Sequence, residues 1–114
     1  MAECLFCAIA VGEIPATRVV ETDRVLAFRD IDPQAPTHVL VIPKTHYPHV
    51  AALAAADSGL LGEVITEAHR VAAAEGVSDT GYRVVFYSGE QAGQTVPHVH
   101  AHVLGGRALT WPPG

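Results

Sequence analysis

The stretch VPHVHAHVLGG, residues 96–106, limits what this 114-residue chain can fold into more than any other segment. His98, His100 and His102 alternate with apolar residues in a run rich in β-branched side chains. Residues two apart in a strand share a face, so the spacing predicts a strand with three imidazoles stacked on one side. Three chemistries fit that pattern. The histidines can be zinc ligands joined by a partner from another segment. One can be a nucleophile whose neighbours fix its tautomer and hold charge. Or all three can be core histidines satisfied by the backbone.

The rest of the chain supplies a frame for that strand. Residues 4–11 predict a short helix closed by Gly12. ATRVVET and RVLAFRDI read as two strands with a tight turn at Thr22 and Asp23. After the Pro-broken DPQAP comes THVLVIP, a β-branched strand ended by Pro43. Across residues 57–75, Leu60, Leu61, Val64, Ile65, Ala68, Val71 and Ala72 recur at helical spacing. Asp57 is the N-cap of that helix and Gly76 lies past its end. YRVVFY and the histidine strand follow, separated by the polar loop SGEQAGQ. Five strands with one long helix between the third and fourth predict a single α+β domain, 1–114, on an antiparallel sheet. In the tail RALTWPPG, Trp111 must pack on something.

A net charge of −5 argues against a general nucleic-acid or anionic-membrane binder, but not against a nucleotide held by a local nest of donors. Two cysteines, in CLFC, offer no stapling framework of disulfides. The N-terminal apolar run carries Glu3, lacks a basic leader and stops at Glu13-Ile14-Pro15, unlike a secretory signal. The expectation is a cytoplasmic protein in which CxxC means metal or redox chemistry; redox is disfavoured because no βαβ context surrounds it. The loop SGEQAGQT ends in Gly93-Gln94-Thr95 directly before the histidines. Glycines let backbone amides approach an anion, and the Thr95 hydroxyl adds a donor, so the loop points to a phosphate rather than an open catalytic metal.

HVHAHVLGG, taken with EIPA, DIDPQAPTHVLVIPK, AGQTVPHVHAHVLGGR and the closing WPPG, resembles the Hint branch of the histidine-triad superfamily, the purine nucleoside phosphoramidases. The resemblance runs in order over nearly the entire chain. It implies a HIT-like fold whose five-stranded sheet continues across a homodimer, with Trp111 reaching toward the partner. It also implies hydrolysis of the P–N bond of adenosine or guanosine 5'-phosphoramidates to a nucleoside monophosphate and an amine. His100 matches the nucleophile that becomes nucleotidylated, its tautomer fixed by the carbonyl of His98. His102 and His38 match the supporting histidines, and Thr95 stands where the branch carries Ser. Gly93 and Gln94 match the loop over the phosphate. Asp30 matches the carboxylate that accepts both ribose hydroxyls, and Leu5, Phe6, Ile9, Ile14, Phe28 and Ile31 match the apolar slot for the base.

Two features depart from the animal Hint pattern. Tyr87 occupies the place of an Asn that contacts the ribose. The CxxC pair is the other, and in bacterial relatives it binds a structural Zn2+ together with a His after the IPK strand and the first triad histidine. The matching positions are Cys4, Cys7, His46 and His98, with His49 competing with His46 and two unpaired thiols as the plainer alternative. His69, mid-helix, reads as solvent-facing. Catalysis would need no cofactor, and neither nucleic acid nor membrane is an implied partner. A dinucleoside polyphosphate hydrolase or nucleotidyl transferase would use the same His100 but need room for a second phosphate-bearing group. A non-catalytic nucleotide-binding or scaffold protein is the reading that Tyr87 keeps open.

Overall fold

A computed structural model describes residues 4–114. Helix α1 spans Leu5–Ala10, with the Cys4 thiol as its N-cap, accepting from the Cys7 backbone N–H, and Gly12 past its end at φ +84°. Strands β1 (Arg18–Glu21), β2 (Val25–Arg29) and β3 (Thr37–Pro43) follow, then α2 (Val50–Ala56) and α3 (Ser58–Ala74). Strand β4 (Tyr82–Phe86), a 3-10 turn at Glu90–Ala92 and β5 (Ala101–Gly105) complete the fold. All pairings are antiparallel, in the order β1-β2-β3-β5-β4. The α+β architecture and its five strands are those the sequence predicts.

Period-two alternation sorts the core. Val25, Ala27, Val39, Val41, Ala101 and Val103 face the apolar stripe of α3, made by Leu60, Val64, Ala68, Val71 and Ala72. Leu26, Phe28, Leu40 and Ile42 project from the other side and are covered by Phe6 and Ile9 of α1. The even-numbered positions of β3 and β5 thus place His38 and His102 on the α1 side. Across that ladder His102 pairs with Leu40 and His38 with Leu104, which makes the two imidazoles diagonal neighbours. Asp57 caps α3 by accepting the Leu60 N–H at 3.0 Å.

Two expectations need correction. The histidine strand does not begin at residue 96: β5 starts at Ala101, so only His102 lies in it. Pro97 has no N–H to donate, the His98 N–H turns back to Val96 O, and the Val99 N–H donates to Tyr47 O at 2.9 Å. The sequence reading also lacked α2, a second helix between β3 and α3 whose N-cap is His49, accepting from Ala52 N–H. Its run VAALAAA buries only Leu53 and shows no amphipathic stripe, so helix propensity and the cap carry it. Trp111 is 83% exposed within this chain.

Candidate active site and adjoining metal cluster

Each of four histidines has a tautomer dictated by its partners. A carbonyl can only accept, so His100 Nδ1–H donates to His98 O at 2.7 Å, leaving Nε2 with a bare lone pair. His98 Nε2–H donates to Pro43 O at 2.8 Å, leaving its Nδ1 bare. The Gln34 backbone N–H donates to His38 Nδ1 at 3.0 Å, so the proton of His38 is on Nε2. That proton faces His102 Nδ1 at 2.9 Å, with Asp30 Oδ2 at 3.4 Å. The proton of His102 must then sit on Nε2, a buried atom with no partner among the described residues. Leaving such a donor unpaired costs on the order of 1–3 kcal/mol, which a ligand oxygen would recover.

Burial holds these rings neutral. It pushes His38, His98 and His100 below the usual imidazole range, against the opposing pull of Asp30 on His38 and His100. His102 is driven furthest, to about 4, by burial and then by the neighbouring His100 and His38. Phe6 contributes to this dry setting, meeting the His100 ring edge-on at 4.9 Å and the Phe28 ring at 5.5 Å.

On the far side of His98 the bare Nδ1 lies 3.3 Å from Cys4 Sγ, 3.6 Å from Cys7 Sγ and 3.2 Å from His46 Nδ1. Cys7 Sγ is 3.4 Å from His46 Nδ1. Two thiols and two imidazole nitrogens converge within 4.8 Å, a donor set suited to tetrahedral zinc. His46 and not His49 belongs to this set; His49 caps α2 by accepting the Ala52 N–H. Burial, with the Cys4 thiol beside it, pushes the Cys7 thiol up to about 11 without a cation, so metal binding would displace a proton there. Asp30, His38 and His102 form a second convergent set, but it fits a metal poorly. A ligating His38 Nε2 would have to give up its proton while Nδ1 is already taken by the Gln34 N–H.

The other sequence-derived residues divide. Asp30 follows β2, with Oδ1 accepting the Asp32 N–H. Phe6, Ile9 and Phe28 are buried under the histidines, whereas Leu5, Ile14 and Ile31 face solvent, Ile31 fully. Thr95 is exposed at the loop's end. Gly89 and Gly93 take φ +94° and +93°, conformations that favour glycine. The Gln94 amide braces the loop: Oε1 accepts the Gly89 N–H, and Nε2 donates to Pro48 O and Val96 O. Tyr87, at the position where the resemblance has an Asn, lies against the His102 ring, with centroids 4.6 Å apart. His69 is exposed and bonds the Tyr82 hydroxyl. Sequence reasoning missed Gln34 and Pro43, which act through backbone atoms and leave no side-chain signature.

Comparison with known proteins agrees with this geometry. A family model described as HIT domain matches residues 11–109. A maize protein named 14 kDa zinc-binding protein is 49% identical over 113 residues, spanning 96% of this chain and 87% of its own. A HIT-like protein of Synechocystis is 49% identical over 112 residues, 98% of this chain and 97% of its own. Among solved structures, a HIT family hydrolase from Legionella pneumophila superimposes with a TM-score of 0.95 at 54% identity, covering 98% of this chain and all of the other. A histidine triad protein from Clostridium difficile gives 0.91 at 41% identity, with 96% of each chain covered.

Proposed function

The chain belongs to the HIT domain family, and from that premise we propose that it hydrolyses the P–N bond of purine nucleoside 5'-phosphoramidates. The observation that carries this reading is the 2.7 Å bond from His100 Nδ1–H to His98 O, which leaves Nε2 free to attack. Nε2 adds in line to the α-phosphorus, the P–N bond breaks with its electron pair passing to nitrogen, and the amine leaves after taking a proton from solvent. Water then cleaves the nucleotidyl-imidazole and frees the nucleoside monophosphate. Splitting the displacement into two steps avoids direct attack of water on an anionic phosphorus. His102 Nε2–H is the donor for a phosphate oxygen, and its Nδ1 is held by His38. Asp30 receives the ribose hydroxyls beside them, and Thr95 with the glycine loop covers the phosphate.

Cys4, Cys7, His46 and His98 would hold a Zn2+ ion, which supplies a clamp between α1 and the sheet rather than a reacting group. A reducing cytoplasm keeps both thiols available for it. We assign the protein as a homodimer joined along β4, one of the sheet's two edge strands, where Val84 is exposed. The exposed Trp111 then finds its contacts on the second copy, and sedimentation showing a stable monomer would overturn this.

The activity is tested by AMP release from adenosine 5'-phosphoramidate after weakly bound metal is removed. Turnover by the wild type and none by His100→Ala supports the reading. AMP binding with no wild-type turnover would instead make the protein a nucleotide-binding member of its family.

A further inference from the structure

We propose that Tyr87 is a positioning residue that sets the plane of the His102 imidazole and ties it to the glycine loop. This rests on the phosphoramidase reading for its kinetic part only.

The argument begins with the freedom of the histidine ring. A histidine's χ2 torsion has broad wells, so the strand backbone does not by itself decide where Nε2–H points. His38 holds His102 at one atom, Nδ1, from 2.9 Å. One hydrogen bond leaves the ring free to rock about that contact. The His100 ring stands 5.0 Å away at 59°, too tilted to define a plane for it. The Tyr87 ring is nearer and less tilted, 4.6 Å from His102 at 37°, and supplies the second contact that the hydrogen bond lacks.

The same phenyl ring also meets the loop. A Cβ placed on Gly93 would touch Cδ2 and Cε2 of Tyr87 at 3.9 Å, so the Gly93 backbone lies alongside the ring. The loop itself is braced by Gln94 onto Gly89, Pro48 and Val96. Tyr87 therefore stands between two groups that must face the same phosphate. Ring carbons, and not the hydroxyl, make these contacts.

Two variants and two readouts test this. Tyr87→Phe keeps the ring and is expected to retain at least about half of kcat. Tyr87→Ala is expected to lower kcat by ~10-fold or more while KM moves less than about threefold, as misplacement of a reacting-group partner does. Long-range 1H–15N spectra of the free protein should show one narrow set of His102 ring signals in the wild type and Tyr87→Phe, and an exchange-broadened or shifted set in Tyr87→Ala, where the ring rocks about the His38 bond. Unshifted amides in β1 and β2 report that the variant is folded. If Tyr87→Ala does not fold, Tyr87→Leu takes its place. Equal loss in Tyr87→Phe and Tyr87→Ala, a change in KM alone, or an unchanged His102 signal in the truncated variant would each overturn the proposal. The spectra decide it even if the wild type proves inactive on phosphoramidates, because they need no substrate.

Discussion

His98 serves His100 with one atom and the cysteine cluster with another: its carbonyl accepts His100 Nδ1–H at 2.7 Å, while its own Nδ1 lies 3.3 Å from Cys4 Sγ. The ring is also fixed at Nε2 by Pro43 O. Anything that loosens the cluster therefore loosens the group that orients the nucleophile.

Replacing both Cys4 and Cys7 with Ser should abolish stoichiometric zinc binding, measured by elemental analysis. It should also lower the Tm by about 5–10 °C, which for a domain of this size is on the order of 1–2 kcal/mol. In the same variant kcat should fall more than KM rises. Full zinc content or an unchanged Tm would refute the assigned ligand set.

His102 predicts a pH dependence of stability. Its folded value of about 4 lies below the ordinary 6.5, so the unfolded chain binds a proton first as the pH falls. Stability is then fully present above about 6.5 and declines as the pH drops toward 4, by roughly 3 kcal/mol from this group. Urea unfolding at fixed protein concentration between pH 7 and 4 should show the decline. His102→Gln should flatten part of it, and an unaltered slope in that variant would contradict the assignment.

The proton order through His38 makes a separate prediction. His38→Gln offers an amide oxygen to the Gln34 N–H and an amide N–H to His102, repeating the acceptor–donor pair seen in the structure. It should retain more kcat than His38→Ala, whose loss is expected on the order of 10–100-fold. Equal activity of the two variants would remove the tautomer relay from the account.

Gly106 should resist replacement. It sits at φ +92°, and an added Cβ would come within 2.9 Å of Pro36 Cβ. Gly106→Ala should destabilise by about 1–3 kcal/mol in denaturant unfolding. A change under ~0.5 kcal/mol would show that the Pro36 segment yields.

These predictions draw on features of unequal legibility. The α3 stripe from Leu60 to Ala72 and the β-branched run of β3 were readable because burial writes a period into the sequence. Helix α2 was not, because a seven-residue alanine-rich segment with one buried side chain writes none. The start of β5 was misread because the apolar alternation continues upstream of Ala101 although Pro97 and the Tyr47 contact have ended the ladder. His46 and His49 were indistinguishable by spacing, and the convergence of His46 Nδ1 on Cys7 and His98 is what separates them. The tautomer of His100 was legible from the motif, whereas those of His98, His38 and His102 were not, since Pro43 O and the Gln34 N–H are backbone atoms brought in from other strands and turns. Tyr87 is legible only as a departure from an Asn position, and its contact with His102 comes from the structure.

The central claim is that His100 Nε2 is the attacking atom. The most direct test is mass spectrometry of the protein quenched in denaturant at neutral to alkaline pH, milliseconds after mixing with adenosine 5'-phosphoramidate. The account predicts a transient mass increase of one adenylyl group, mapped to the His100 peptide and absent in His100→Ala. AMP appearing with no adduct on the wild type under any quench time, or an adduct that survives in His100→Ala, would contradict it.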